Sequence, residues 1–182
     1  MFIISGEARF YSNQTWFCYT FTMKLSDENI RLLKKLMKIS AEKGNLATSG
    51  IVLENNIVIA SAESWAASAF DATAHSERML VGMVGELKHN SYYPGLTMIT
   101  VIEPCLMCLS AVAQARYKEL FYIIPSSRYI EKLPWITNDL TIDKQIIASQ
   151  FTEPITLTHL SQYEEDFCQV FESAMRHDLQ SN

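Results

Sequence analysis

What this chain of 182 residues has little of bounds it first. Glycine (6) and proline (5) are scarce, which leaves no Pro/Gly-rich linker to divide the chain and no repeat or low-complexity tract. Four cysteines are too few for a disulfide scaffold at this length, and Cys105 and Cys108 stand too close in sequence to staple distant segments. Reduced thiols are the expectation. No apolar run reaches the roughly 18 residues that a membrane span needs, and the opening "MFIISGEARF" has no basic stretch ahead of its short apolar patch. The reading is a cytoplasmic protein with no membrane partner. Excess positive charge is missing too: 15 Lys+Arg against 20 Asp+Glu leave a net charge of −5 and a pI near 5.4. No overall positive field draws such a chain to phosphate backbones, which argues against nucleic acid as a partner. Arg31, Lys34, Lys35 and Lys38 do gather on one segment, and a solvated helix face accounts for them.

What is present is apolar side chain, at 48% of residues, enough for one domain with its own core. The reading is a single domain over 1–182, its core at about 26–125 and a C-terminal extension at 126–182. The stretch from Phe2 to Met23 is rich in aromatics and alternates poorly, so it reads as irregular or strand. Ser26 can cap a helix with Asp27 and Glu28 in its first turn, Leu25 and Ile30 placed as a hydrophobic staple, and Gly44 as its stop. Ile30, Leu33, Met37 and Ala41 would form its buried stripe. "SGIVLENNIVIASAE" gives two β-branched runs about Asn55-Asn56, a hairpin signal because asparagine tolerates positive φ.

Beyond it, "HSERMLVGMVGELK" is helical in period, with Met79, Leu80, Met83, Val84 and Leu87 on one broad face. "LTMITVI" is a short strand running into "EPCLMCLSAVAQARY", a helix with proline near its start, and "ELFYIIP" is the next strand. Strand alternating with helix predicts an α/β sandwich. "SSRYIEKLPWITND" reads as loop with a short helical turn. Thr141 to Gln150 is a helix candidate, and "SQYEEDFCQVFESAMRH" is another, with Tyr163, Phe167, Val170, Phe171 and Ala174 at helical spacing as core or subunit contact.

Two of these helices begin with metal-binding chemistry. "DATAHSE" puts His75 and Glu77 at one helix start, and "EPCLMC" puts Cys105 and Cys108 at the other, roughly thirty residues on. Cysteines three apart lie on one side of a helix, and the positive helix end lowers thiol pKa toward the thiolate that binds metal. One nitrogen and two sulfurs leave the fourth position of tetrahedral zinc to water, as a catalytic site requires. Zinc with two thiolates is formally neutral, so activation of that water leans on Glu77 as well. Its carboxylate, one residue removed from the ligand, is placed to carry a proton from the water to a ring nitrogen and a leaving group.

A lone C-x-x-C is more often a redox pair or half of a structural zinc site, and a lone H-x-E means little. A thioredoxin-like protein would leave His75 and Glu77 unexplained. H-x-E followed by P-C-x-x-C is the pattern of zinc deaminases. On His75-Ser76-Glu77 and Pro104-Cys105-Leu106-Met107-Cys108 the chain resembles the cytidine deaminase superfamily, and "DATAHSE" and "TVIEPCLMCLSA" look most like its branch of tRNA-specific adenosine deaminases and bacterial guanine deaminases. The likeness runs over about 46–125. It implies a three-layer α/β/α sandwich with a mixed sheet of about five strands, one Zn2+, hydrolytic loss of ammonia as metal-activated water attacks the amino-bearing ring carbon, and a homodimer. It also implies that the peptide groups at Ala74, Ser76 and Glu103 lie near the ring.

The departures are specific. Members of that branch carry an asparagine about a dozen residues before the histidine, whereas "ESWAASAFDATAH" has none, and Ala72 stands where they have proline. Ring binding must differ, with Trp65 and Phe70 as candidates either for stacking on a base or for core packing. Downstream of Cys108 the charges are of both signs, which together with the acidity favours a small nucleobase or nucleoside, a purine such as guanine ahead of cytosine. A tRNA adenosine deaminase and a non-catalytic zinc scaffold are the alternatives, although inactive relatives tend to lose the glutamate kept here. Asp71 either caps the helix lead-in or orients His75 through its second ring nitrogen. His89, His159 and His177 read as surface or capping residues, and Cys18 and Cys168 as buried thiols.

Overall fold

The structure, a computed structural model, describes residues 23–133, 136 and 142–180. The expectation for the stretch that starts at Phe2 lies, up to residue 22, outside these residues, as do those for Cys18 and Thr141. The first helix, α1 (Asp27–Glu42), starts where its cap predicts: the Ser26 hydroxyl accepts a hydrogen bond from the Asn29 N–H at 3.1 Å. Leu33 and Met37 are buried, Ile30 and Ala41 pack beside them, and Gly44 leaves the helix at a φ of +79°. Strands β1 (Ser49–Glu54) and β2 (Ile57–Glu63) form the expected hairpin, with Asn55 and Asn56 both in the left-handed region.

Helix α2 (Ser76–Lys88), β3 (Thr97–Ile102), α3 (Leu106–Gln114) and β4 (Glu119–Ile124) follow in alternation. After β4 come a short helical turn at Ser126–Arg128, α4 (Lys144–Gln150), β5 (Thr156–His159), α5 (Glu164–Ala174) and α6 (Arg176–Gln180). The sheet order is β2-β1-β3-β4-β5, antiparallel across β2, β1 and β3 and parallel across β3, β4 and β5. It is the mixed five-strand sheet that the resemblance implied. Its fifth strand comes from the C-terminal part of the chain rather than from the 26–125 stretch assigned to the core. "TLTH" is too short to announce itself; pairing with β4 makes it a strand.

Alternation along the strands sorts the core into two layers. Ile51, Ile99, Phe121 and Ile123 face α1 and α5, where Leu33, Met37, Phe167 and Phe171 meet them. Val52, Met98, Leu120 and Tyr122 face the other way, toward Leu80 and Val84 of α2 and Leu109 and Val112 of α3. Helix α2 lies close against the sheet at Gly50, where a Cβ would stand 2.9 Å from Leu80 Cδ1 and 3.1 Å from the Ile99 carbonyl oxygen. The buried stripe of α2 is narrower than its sequence predicts. Leu80 and Val84 are buried and Met79 partly so, but Met83 and Leu87 face outward. No helix among the described residues is long and apolar enough to cross a membrane.

Candidate active site

Both predicted ligand segments sit at helix starts on the α2/α3 side of the sheet. His75 is the N-cap residue of α2 and Cys105 that of α3, each extended (φ −73°, ψ 150° and φ −71°, ψ 169°), and neither side chain caps its own helix. Cys108 follows in the first turn of α3 and is fully buried. His75 Nδ1 lies 3.7 Å from Cys105 Sγ and 3.6 Å from Cys108 Sγ. All three ligand atoms fall within 4.8 Å of one another, and they are the group among the described residues with metal-binding spacing. Zn–S near 2.3 Å and Zn–N near 2.05 Å in a tetrahedron put sulfur and nitrogen about 3.5 Å apart, so the residues fit the ion.

Without an ion the three side chains share protons among themselves. A hydrogen bond from Cys108, with a second from His75, holds the Cys105 thiol down to about 4 against burial. The same bond to Cys105, then burial, pushes Cys108 up. His75 is raised by its bond to Cys105. Bound there, a divalent cation would take the place of these shared protons, with both sulfurs as thiolates.

Glu77 is buried, and that burial raises its pKa against the pull of its own backbone N–H and of His75. The Ser76 hydroxyl, also buried, donates to Glu77 Oε2 at 3.0 Å. Asp71 serves the helix lead-in: its Oδ1 accepts from the Thr73 N–H at 2.8 Å and hydroxyl at 2.7 Å, and its Oδ2 pairs with Arg78 at 3.3 Å. The carboxylate thus meets Thr73 and Arg78 rather than the ring of His75.

The loop between β2 and α2 forms one wall. Trp65 N–H donates to the Ala74 carbonyl at 2.9 Å, which closes the loop onto the buried residue before His75. Neither aromatic of this loop is core: Trp65 is 43% exposed and Phe70 97% exposed, at a φ of 53°. The sequence reading missed the residue that organises the loop. Buried Asn45 accepts from the Ala67 and Ser68 N–H groups, each at 2.9 Å, and donates to the Ser68 hydroxyl at 3.0 Å. An asparagine does therefore serve this stretch, supplied through space from the turn after α1. Its position behind Gly44 was the available signal, and it reads as an ordinary turn residue. Glu103 N–H donates to the Ile124 carbonyl at 2.8 Å, and its carboxylate turns away to Ser126 and Lys144.

Two cysteines and one histidine at tetrahedral spacing, on two helix N-termini with a buried carboxyl beside them, define a zinc-dependent hydrolase centre. Residues 23–124, more than half of the chain, match the family described as the cytidine and deoxycytidylate deaminase zinc-binding region, and the chain belongs to that family. A tRNA-specific adenosine deaminase of Agrobacterium fabrum is 28% identical over 83 residues, which are 46% of this chain and 55% of that protein. The chain thus spans about half the length of that curated relative. One from Buchnera aphidicola is 23% identical over 129 residues, 66% of this chain and 85% of its own. Among solved structures, the guanine deaminase of Nitrosomonas europaea superposes with a TM-score of 0.68 at 14% identity, covering 82% of this chain and 84% of that one. A structure from studies of A-to-I editing by tRNA:A34 deaminases gives 0.65 at 18% identity, over 78% and 96%.

Proposed function

We propose that this deaminase acts on a small nucleobase or nucleoside, a purine such as guanine ahead of cytosine, and that Glu77 is its proton carrier. The observation that carries the reading is the buried carboxyl of Glu77 beside the His75, Cys105 and Cys108 triangle. Zinc bound by the three residues supplies, when present, Lewis acidity that makes water a nucleophile near neutral pH. Glu77 takes one proton from the attacking water to the ring nitrogen and then carries the second, from the resulting hydroxyl, to the departing amine, so that ammonia leaves and the ring carbon keeps the oxygen. Burial raises its pKa above that of an exposed carboxylate. The Ser76 hydroxyl aims the carboxyl, Trp65 and Phe70 offer aromatic faces for the base, and peptide groups at Ala74, Ser76 and Glu103 meet the ring edge.

Charge placement supports a small substrate. The basic residues Arg31, Lys34, Lys35 and Lys38 lie on α1, which packs on the sheet face opposite α2 and α3, and Lys34 is paired with Asp166. The sequence relatives favour a second reading, tRNA, since those named above are tRNA-specific adenosine deaminases. We read a homodimer from the same family likeness, and the outward Met83 and Leu87 of α2 support a protein contact there. Ammonia release from guanine, adenine, cytosine, their nucleosides and nucleotides, and a tRNA anticodon stem decides between the substrates. Turnover of a purine base or nucleoside is expected. Turnover of the RNA alone overturns the charge argument.

A further inference from the structure

The C-terminal part of the chain meets the segment just before Cys105 through a buried cation. Lys144, the first residue of α4, has a side chain only 6% exposed, and its ammonium lies 2.7 Å from Glu103 Oε1. It also lies 3.2 Å from the Pro104 carbonyl oxygen and 3.3 Å from the Ser126 hydroxyl. The other Glu103 oxygen accepts from the Ser126 N–H at 2.9 Å and hydroxyl at 2.8 Å. Three segments meet there: the turn from β3 into α3, the end of β4 and the start of α4. Asp143 fixes the last of these by accepting from the Gln145 and Ile146 N–H groups at 2.9 Å and 3.2 Å.

A buried ion pair is a poor device for stability alone, because desolvation offsets most of its attraction and an apolar pair of the same volume serves as well or better. What it adds here is direction. The Pro104 carbonyl belongs to the planar peptide group whose nitrogen is that of Cys105, so holding that oxygen fixes the plane from which the Cys105 side chain departs. Cys105 has no cap bond of its own to do this. All three donors of the ammonium are used, two of them on the Glu103-Pro104 segment.

We propose that Lys144 is a positioning residue for the zinc centre: through Glu103 and the Pro104 carbonyl it locks the turn that presents Cys105, making α4 part of the metal site. This rests on the zinc centre and not on the choice of substrate. The test uses the full chain, zinc-loaded, with zinc release to a chelator as one readout and the absorption spectrum of the cobalt-substituted protein as the other. Lys144→Met is expected to release zinc at least tenfold faster and to alter the cobalt spectrum, with Lys144→Arg between it and the parent. Glu103→Gln, which removes the charge that holds the ammonium beside Pro104, is expected to accelerate release two- to threefold, and it keeps the test open should Lys144→Met not fold. Met37→Ala, a core truncation on the opposite face of the sheet, is the control for plain destabilisation. The proposal is overturned if Lys144→Met, or Glu103→Gln where the former does not fold, releases zinc no faster than Met37→Ala and has the parent's cobalt spectrum.

Discussion

Gly50→Ala probes how tightly the helix that carries the candidate site is seated on the sheet. The added methyl would stand 2.9 Å from Leu80 Cδ1 and 3.1 Å from the Ile99 carbonyl oxygen. The leucine terminus can rotate aside, but the carbonyl belongs to the β1–β3 ladder and cannot. Overpacking of this kind costs about 1–3 kcal/mol. At ~2–4 °C per kcal/mol for a chain of this size, Tm falls by roughly 2–12 °C. Gly82→Ala is the counterpart on the same helix, where a Cβ meets nothing within 4 Å. There the substitution stabilises, by about 0.5–1 kcal/mol from helix propensity alone. Thermal melts of both variants, with zinc content measured alongside, check the pair. Equal shifts of the same sign would refute the reasoning, since the packing at Gly50 would then count for nothing.

The site's surroundings give two more expectations. Asn45→Ala leaves the Ala67 and Ser68 N–H groups without their acceptor, which costs about 1–3 kcal/mol locally. Steady-state kinetics should show KM raised severalfold with zinc content unchanged, and Asn45→Asp, which keeps the acceptor, should restore most of it. Glu103 is pushed up by burial but pulled further down by Lys144 and Ser126, so its folded pKa lies below the ordinary 4.5. A depressed carboxyl adds stability that is present above that value and lost as pH falls through the folded one. The Tm gap between parent and Glu103→Gln should therefore be widest above pH 4.5 and close below it; a gap independent of pH would contradict the ion pair.

Much of the fold and the metal ligands was legible because the signals are local. The Ser26 cap, the Asn55-Asn56 turn and the ligands at two helix starts are each written within a few neighbouring residues. What was not legible depends on distance through space. Nothing in "TIDKQII" marks Lys144 as buried, since lysine at a helix start ordinarily faces water and its partner stands far away in sequence. Met83 and Leu87 continue the periodicity of α2, yet both are exposed. Phe70 reads as core or stacking surface by composition, and the loop held by Asn45 and Ala74 turns it fully outward. Local pattern carries the ligand set; the walls around it are tertiary.

The most direct measurement compares Glu77→Gln with the parent at equal zinc content on whichever small base or nucleoside proves to be the substrate. The amide keeps size and approximate shape but cannot carry the proton, so ammonia release should fall by about 10²–10⁴ while one zinc per chain stays bound and Lys144 contacts are untouched. Full turnover by the zinc-loaded variant would contradict the assignment of Glu77, and with it the reading of this centre as a deaminase site.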